Sequence, residues 1–145
     1  MAQTVLGIVK FDWQSGQTCT FRKACESARV SFECHSVDST DAGTRYFRGA
    51  GEYANRSRFP IPALLVLDLD LEKSLDLLAW LRAQPASRYL PVVVLSTSKN
   101  QTIMRRAYDK GASSFLIKPA DFPSLLELVK VIDRYWLTLN QAPRP

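Results

Sequence analysis

The stretch ALLVLD at residues 63–68 is the most hydrophobic run in the chain. It is too short to form a buried helix of its own, and it lacks the polar alternation of a strand with one face in water. Strands of a parallel sheet are covered on both faces by helices, so they consist of nearly continuous aliphatic residues. The stretch therefore predicts a strand in the middle of a parallel sheet that ends at Asp68.

Four other short apolar runs lie before and after this strand. They are residues 5–11, 30–36, 91–96 and 114–117. Segments with helical periodicity separate them, at residues 15–28, 40–47, 75–83, 103–110 and from about 123 to 139. One long loop is predicted over residues 49–62 from its Gly, Asn, Ser and Pro content. Because parallel crossovers are right-handed, the predicted fold class is α/β, a doubly wound (βα)₅ five-stranded parallel sheet of flavodoxin-like type.

The length of 145 residues and the hydrophobic content of 46% are typical of one domain with its own core. We expect a single domain over residues 1–145, with a core of about residues 4–139 and a frayed C-terminal tail. No apolar run is long enough to span a bilayer, and the N-terminus lacks the features of a secretory signal. These features predict a cytoplasmic protein that does not contact a membrane.

The net charge of +5 is compatible with an acidic or nucleic-acid partner, but the basic residues are scattered along the chain. Arg45, Arg48, Arg56 and Arg58 crowd one region, which we interpret as a solvated loop in preference to a binding patch. The three cysteines have no zinc or redox spacing and are interpreted as reduced, mostly packed thiols. His35, the single histidine, has no further ligand at a recognised metal spacing, so a metal role is not expected.

Four polar residues end or directly follow predicted strands: Asp12, Asp68, Ser96 and Lys118. In open parallel sheets, ligands bind at the carboxyl ends of the strands, so these side chains are expected to lie close together. Two carboxylates can share a hard cation such as Mg²⁺, and a carboxylate oxygen can attack phosphorus to form an acyl phosphate. The set predicts phosphoryl-transfer chemistry centred on Asp68, with Lys118 offsetting charge and the Ser96 hydroxyl donating to a phosphoryl oxygen.

Each of these residues has a structural alternative, because Asp and Ser at strand ends often cap the following helix. For any one of them alone, capping is the stronger interpretation. Their joint position at the ends of the first, third, fourth and fifth strands favours a site.

Three segments resemble a two-component response-regulator receiver domain over nearly the whole chain. They are LLVLDLDL at residues 64–71, PVVVLSTS at residues 91–98 and GASSFLIKP at residues 111–119. Two further segments, YFRGAGEY at residues 46–53 and YWL at residues 135–137, resemble the single-domain regulators that partner cyanobacterial phytochromes and related histidine kinases. The resemblance therefore implies a histidine kinase as a partner.

The resemblance also implies individual roles. Asp68 accepts a phosphoryl group, Lys118 contacts it, and Pro119 is often cis in such domains. Ser96 lies at the switch-hydroxyl position and Phe115 at the switch-aromatic position, and together they reshape the face made by the fourth helix, fifth strand and fifth helix. For Phe115, a plain buried strand residue is an equally good interpretation.

The acidic pocket is atypical for that family. The resemblance implies that Asp12, Asp68 and the backbone carbonyl of Asp70 bind Mg²⁺, but Trp13 stands where a second acid is usual. Since tryptophan cannot ligate a metal, Mg²⁺ binding is expected to be weakened or lost. The Asp70 or Glu72 side chain offers replacement charge as a less favoured alternative. Residues 71–74 also replace a longer family loop that shapes access to the phosphate.

These departures leave several functions to be distinguished. A phosphoacceptor receiver is favoured, and a degenerate receiver that acts as a phosphorylation-independent binding module is the main alternative. Asp68 and Asp70 also resemble the Asp-x-Asp motif of haloacid-dehalogenase-like phosphatases, which that family places on its first strand. A flavin-binding function is disfavoured because no phosphate-cradling loop follows the first strand.

The expected partners are all proteins. With no effector region in the sequence, the chain is expected to act through a kinase, a downstream protein target or a second copy of itself. Tyr135 and Trp136 are candidate interface residues, with packing against the protein's own core as an equal alternative. Direct nucleic-acid binding is not expected, because no helix-turn-helix segment is present.

Overall fold

The structure is a computed structural model that describes residues 3–11 and 21–143, and a five-stranded parallel sheet forms its centre. The strands are β1 (Thr4–Ile8), β2 (Glu33–Val37), β3 (Leu64–Asp68), β4 (Val92–Ser96) and β5 (Ser114–Ile117). They lie side by side in the order β2-β1-β3-β4-β5. The predicted doubly wound α/β fold is confirmed, with β3 in the middle.

Five α-helices connect or follow the strands in the described ranges. They are α1 (Phe21–Ala28), α2 (Thr40–Arg48), α3 (Ser74–Ala83), α4 (Gln101–Asp109) and α5 (Phe122–Val131). A π-helical segment, Ile132–Leu139, continues α5, and a short 3₁₀ turn, Gly51–Tyr53, lies within the predicted long loop. The part of the first predicted helix before Phe21 lies outside the described residues.

Both faces of the sheet are covered, which explains why its strands lack polar alternation. Leu65 and Leu67 of β3 pack with residues of α2, α3 and α4, whereas Leu64 and Val66 pack with residues of α1 and α5. Successive strand residues point to opposite faces, so each face needs its own apolar set. The continuous aliphatic run of β3 is the consequence.

The first two strands differ from their predicted bounds because backbone groups at their ends bind elsewhere. β1 ends at Ile8 instead of Phe11, since the amide of Lys10 donates to a side-chain oxygen of Asp68 at 3.2 Å. β2 begins at Glu33 instead of Val30, since the amide of Ser31 donates to Asp133 at 3.1 Å. Both amides therefore donate to a carboxylate far away in the sequence instead of to a neighbouring strand.

Side-chain caps determine where several helices begin. The Ser39 hydroxyl accepts from the amide of Ala42 at the start of α2. The Asn100 side chain accepts from two amides, so α4 begins at Gln101, two residues before the predicted start. At α5 the amide of Ser124 donates to Asp121, and this bond holds the pKa of the Asp121 carboxyl below its usual value.

The interpretation of the arginine-rich region as a solvated loop is wrong for Arg56. Its guanidinium donates to the backbone carbonyls of Tyr46 at 2.7 Å, Phe47 at 2.5 Å and Phe59 at 3.1 Å. Carbonyls at a helix end and in a loop need partners, and the forked guanidinium supplies several donors at once. Arg56 therefore holds the loop before β3 against the end of α2.

The two candidate interface residues in the C-terminal segment differ in burial. Trp136 packs against the core between the sheet and helices α1 and α5, whereas Tyr135 is 48% exposed. Packing against the protein's own core is thus the outcome for Trp136, and Tyr135 remains on the surface. Within residues 3–11 and 21–143, no helix combines the length and apolar character needed to cross a bilayer.

Candidate functional site

Asp68 ends the central strand and is fully buried. The amide of Asp70 donates to its Oδ1 at 2.9 Å, and the amide of Lys10 donates to its Oδ2 at 3.2 Å. A buried carboxylate is unfavourable unless hydrogen bonds and opposite charge compensate for lost hydration. These two amides, from the loops after β1 and β3, orient the carboxylate at the edge of the sheet.

Lys118 supplies the compensating charge. Its Nζ lies 2.7 Å from Oδ2 of Asp68, and its side chain is only 14% exposed. The amide of Lys118 donates to the carbonyl of Ser96 at 2.8 Å, which fixes where the lysine leaves β5. The Phe11 ring lies 5.7 Å from Nζ, within the range of a cation–π contact. The predicted meeting of Asp68 and Lys118 is therefore present in the structure.

Ser96 ends β4 and is 1% exposed. Strand pairing places Asp68 opposite Leu95, and it places Ser96 opposite Ile117, the residue before Lys118. The Ser96 hydroxyl oxygen accepts from the amide of Ser98 at 3.0 Å, so its proton can point to a different acceptor. The structure brings Ser96 to the same sheet edge as the other two residues.

The Asp70 side chain also belongs to this group, a feature that the sequence suggested only as a less favoured alternative. Its carboxylate accepts from the amide of Thr97 at 3.3 Å and from the Thr97 hydroxyl at 3.2 Å. Its Oδ2 lies 3.8 Å from Nζ of Lys118. Asp70 therefore adds a second negative charge beside the lysine and connects the loops that follow β3 and β4.

Phe115 of β5 is half-buried and packs against the core cluster on the α2–α4 side of the sheet. It pairs with Val94 of β4, two residues before Ser96. In this arrangement it contributes to the core, while its neighbours Leu116 and Ile117 are exposed. The structure thus has Phe115 packed inward at the edge strand of the sheet.

Two sequence expectations at this site need separate treatment. Asp12 and Trp13 lie outside the described residues. The bond between Lys118 and Pro119 is trans, like every other peptide bond in the described ranges, so the cis form that is often found in the family is not present. Trans is the lower-energy isomer of such bonds by about 0.5–1 kcal/mol, and with it Lys118 already reaches Asp68.

Two site components were missed by reasoning from the sequence. Thr97 directly follows Ser96, and its hydroxyl next to a strand end was an available signal. The amide of Lys10 carries no side-chain signature at all, because a backbone donor is present at every residue except proline.

The donor set fits a hard divalent cation only in part. Carboxylate and carbonyl oxygens are the ligands that Mg²⁺ prefers, and Asp68 and Asp70 supply two carboxylates around Lys118. Within the described ranges, however, no group of three or more His, Cys, Asp or Glu side chains is arranged to hold a metal ion. A bound cation there would need an oxygen ligand from outside those side chains.

Chemically, the arrangement is suited to an anionic group that arrives at the sheet edge. A buried carboxylate with two amide donors is a positioned nucleophile. The adjacent ammonium and the Ser96 hydroxyl can stabilise negative charge on a transferred group.

Comparison with curated proteins gives two relatives. The response regulator Rcp1 of Synechocystis is 33% identical over 104 residues, which cover 70% of this chain and 69% of Rcp1. The probable methanogenesis regulatory protein FilR2 of Methanothrix harundinacea is 39% identical over 87 residues, or 59% of this chain. The match spans only 56% of the length of FilR2. No protein-family model matches the chain.

Solved structures are similar over almost the entire chain. Response regulator RPA3017, from red-light signalling in R. palustris, is 25% identical with a TM-score of 0.83, covering 99% of both chains. The phosphorylated cyanobacterial phytochrome response regulator RcpA is 28% identical with a TM-score of 0.80, again covering 99% of both chains. The Mn²⁺-bound form of Rcp1 is 24% identical with a TM-score of 0.75, covering 97% of this chain and 99% of that one, and at this identity it shows the fold alone.

Proposed function

Because this chain belongs to the response-regulator receiver family of two-component signalling, we propose that it accepts a phosphoryl group from a histidine kinase on Asp68. One observation supports this proposal above all others. The fully buried Asp68 carboxylate lies 2.7 Å from Nζ of Lys118. After transfer, the same ammonium can contact the negatively charged oxygens of a phosphoryl group on Asp68. The pair also lies at the carboxyl ends of the strands, where open α/β sheets bind their ligands.

The transfer can be written as one displacement at phosphorus. An oxygen of Asp68 forms a bond to phosphorus while the bond between phosphorus and the imidazole nitrogen of a phosphohistidine breaks. The electron pair of that bond returns to the imidazole. Lys118 and the Ser96 hydroxyl then contact the phosphoryl oxygens and stabilise their charge.

Mg²⁺ belongs to the proposal as a weakly held ion. Asp12, Asp68 and the backbone carbonyl of Asp70 would hold it, and when bound it would supply positive charge to the transferring group. The presence of Trp13 where a second acid is usual removes one unit of negative charge, so we propose an affinity below that of a typical receiver. Rcp1, which is 33% identical to this chain over 104 residues, has a structure with bound Mn²⁺, and this supports a divalent ion in the family.

Signalling through the face formed by α4, β5 and α5 is the output that we propose. Phosphorylation would draw Ser96 towards the phosphate, and Phe115 would repack in response. This face exposes several apolar side chains, among them Leu116 at 37%, Ile117 at 43% and Val131 at 57% exposure. Its partner would be a downstream protein or a second copy of the chain, in the cytoplasm where a kinase can reach it.

A phosphorylation-independent binding module is the second candidate. Three donors already occupy the Asp68 carboxylate, namely Lys118 and the amides of Lys10 and Asp70. Together with Trp13, this occupation favours a site that stays in one state without chemistry.

Acetyl phosphate in the presence of Mg²⁺ separates the two candidates. Intact mass should increase by one phosphoryl group in the wild type and remain unchanged in Asp68→Asn, which keeps the size of the side chain but not its charge. Asp70→Asn is the matched control, because it removes a neighbouring carboxylate and should still form the adduct. If the wild type forms no adduct under conditions where a standard receiver reacts, the phosphoacceptor proposal is wrong and the binding module gains support.

A further inference from the structure

Two cysteines lie together on the side of the sheet that faces α1, away from the Asp68 site. Cys25 lies on α1 and is 3% exposed, within the core cluster between the sheet and helices α1 and α5. Cys34 is on β2, pairs with Val5 of β1, and packs against the same cluster while remaining half-buried. Both are free thiols.

The two cysteines are neighbours in space. Both line the same groove and pack against the same apolar cluster, and the nearby Cys34 thiol, followed by burial, raises the pKa of the Cys25 thiol. The Cys34 thiol also lies 3.7 Å from the carbonyl oxygen of His35. Two cysteine side chains from different elements, α1 and β2, thus lie at the same place in the fold.

A polar groove gives reagents access to the pair. It has a volume of about 280 Å³, and both cysteines line it together with Arg22, Arg29 and Glu33. Cys34 is the more exposed thiol and the pKa of Cys25 is raised, so Cys34 is positioned to react first. The first cause of that raised pKa, the neighbouring Cys34 thiol, is removed once Cys34 has reacted. Cys25 then lies next to the sulfur that has reacted.

We propose that Cys25 and Cys34 form a redox-active dithiol, which a low-molecular-weight disulfide converts into an intramolecular disulfide. The Cys34 thiolate attacks one sulfur of the reagent, forms a mixed disulfide and releases one thiolate. The Cys25 sulfur then attacks Cys34, the mixed disulfide breaks, and the second thiolate leaves. Two cysteine thiols are oxidised, one reagent disulfide is reduced to two thiols, and the two cysteine protons go to those leaving groups.

The product would join α1 covalently to β2. Disulfide formation requires the Cα atoms to approach within about 4.4–6.8 Å, and the helix and strand already pack against each other through these side chains. The chain would therefore carry a modification site on the α1 side of the sheet, apart from the carboxyl-end edge where Asp68 lies.

The experiment uses the folded 145-residue chain with Cys19→Ser, so that Cys25 and Cys34 are the cysteines that remain. The protein is incubated with oxidised glutathione, free thiols are blocked with N-ethylmaleimide, and intact mass is measured. The expected result is the loss of two hydrogen atoms with no alkylation, reversed by dithiothreitol. Trypsin cleaves after Arg29, between the two cysteines, so the cross-link should join the peptides 24–29 and 30–45.

Single variants test the order of the steps. Cys25→Ser should accumulate glutathione on Cys34, because the resolving thiol is absent, whereas Cys34→Ser should leave Cys25 unmodified over the same time. A glutathione adduct that persists with both cysteines present, or full alkylation of both thiols after oxidation, would overturn the proposal. The mapped cross-link decides the question even if a serine variant folds poorly, since it is read on the protein that retains the pair.

Discussion

Two half-buried cations lie at opposite edges of the sheet, and their partners differ in kind. Lys118, at the carboxyl ends of the strands, pairs with the Asp68 carboxylate at 2.7 Å. Arg82, near the amino ends of β4 and β5, donates to the backbone carbonyls of Gly111 at 2.7 Å and Leu90 at 2.7 Å. It also donates to the carbonyls of Ser87 and Arg88, each at 3.1 Å.

This difference separates a cation available for chemistry from one that holds loops in place. The carbonyl partners of Arg82 are neutral, and burial lowers the pKa of its guanidinium from its usual value. Its role is to satisfy carbonyls that would otherwise lose their hydrogen bonds. Lys118 instead neutralises a side-chain charge at the edge where ligands enter, so a new anion on Asp68 can compete for it.

The largest effect that the comparison predicts comes from replacing Lys118. In Lys118→Met, the rate of phosphorylation by acetyl phosphate should fall about 100-fold, because one charge that stabilises the transferring group is lost. Stability should also fall, since the buried Asp68 carboxylate loses its counter-charge. The rate is read from intact mass against time, and Lys118→Arg, which keeps the charge, should lie between the variant and wild type. An unchanged rate would remove Lys118 from the proposed chemistry.

Arg82→Met should lower stability and leave the phosphorylation rate unchanged. The free energy of unfolding should fall by about 3 kcal/mol, because four loop carbonyls lose a charged donor. Urea denaturation measures this loss, and Arg82→Lys should recover only part of it since it has fewer donors in a less suitable geometry. The phosphorylation rate at a temperature where the variant remains folded should equal that of wild type. A slower rate in the folded variant would contradict the division of roles.

Replacing Asp70 tests whether its carboxylate acts together with Asp68 and Lys118. Asp70→Asn should raise the Kd for Mg²⁺ about threefold, which is the size expected for a partly exposed charge. The measurement is a titration followed by tryptophan fluorescence. Thr97→Val is the matched control, because it removes the hydroxyl that binds Asp70 without changing the charge, and its Kd should stay close to wild type. An equal increase of the Kd in both variants would indicate that Asp70 acts by ordering the loops and not through its charge.

The smallest predicted effect concerns His35, a polar group that belongs to neither edge. Burial lowers its pKa from the usual value of 6.5, with Arg22 and Arg58 acting in the same direction and Glu33 opposing them. As the pH falls below about 6.5, the unfolded chain binds a proton before the folded chain does, so stability decreases; above that pH the contribution is constant.

His35→Phe provides the comparison for this prediction. Phenylalanine keeps a ring against Tyr46 and Phe59, whose centroids lie 5.8 and 5.4 Å from that of His35, but it cannot titrate. Between about pH 7.5 and about pH 5.5, the wild type should lose more stability in urea denaturation than the variant. Identical pH profiles would show that His35 does not contribute.

Much of the fold followed from local patterns, and the exceptions have identifiable causes. The bounds of β5 are as predicted, and β3 and β4 each begin one residue later than predicted. The errors at β1 and β2 arose where an amide binds a carboxylate far away in the chain, Lys10 to Asp68 and Ser31 to Asp133. No local sequence pattern indicates such a pairing, because the residues next to each partner in the sequence give no information about the other partner.

The site shows the same division. Asp68, Ser96 and Lys118 were predictable because parallel strands end at one edge and their last residues are known once the strands are. The contact of the Asp70 carboxylate with Thr97 was not, since it depends on how two loops fold over that edge. The roles assigned to Asp68, Ser96, Phe115 and Lys118 in phosphorylation stay predictions until the adduct is measured.

By itself, the sequence determined the layered α/β architecture and the residues at the strand ends, because side-chain periodicity and chain direction are properties of neighbouring residues. Only the tertiary structure decided which half-buried cation met a carboxylate and which met carbonyls, and that Cys25 and Cys34 line the same groove. Those outcomes depend on the packing of elements distant in the chain, where a displacement of a few ångströms makes or breaks a hydrogen bond.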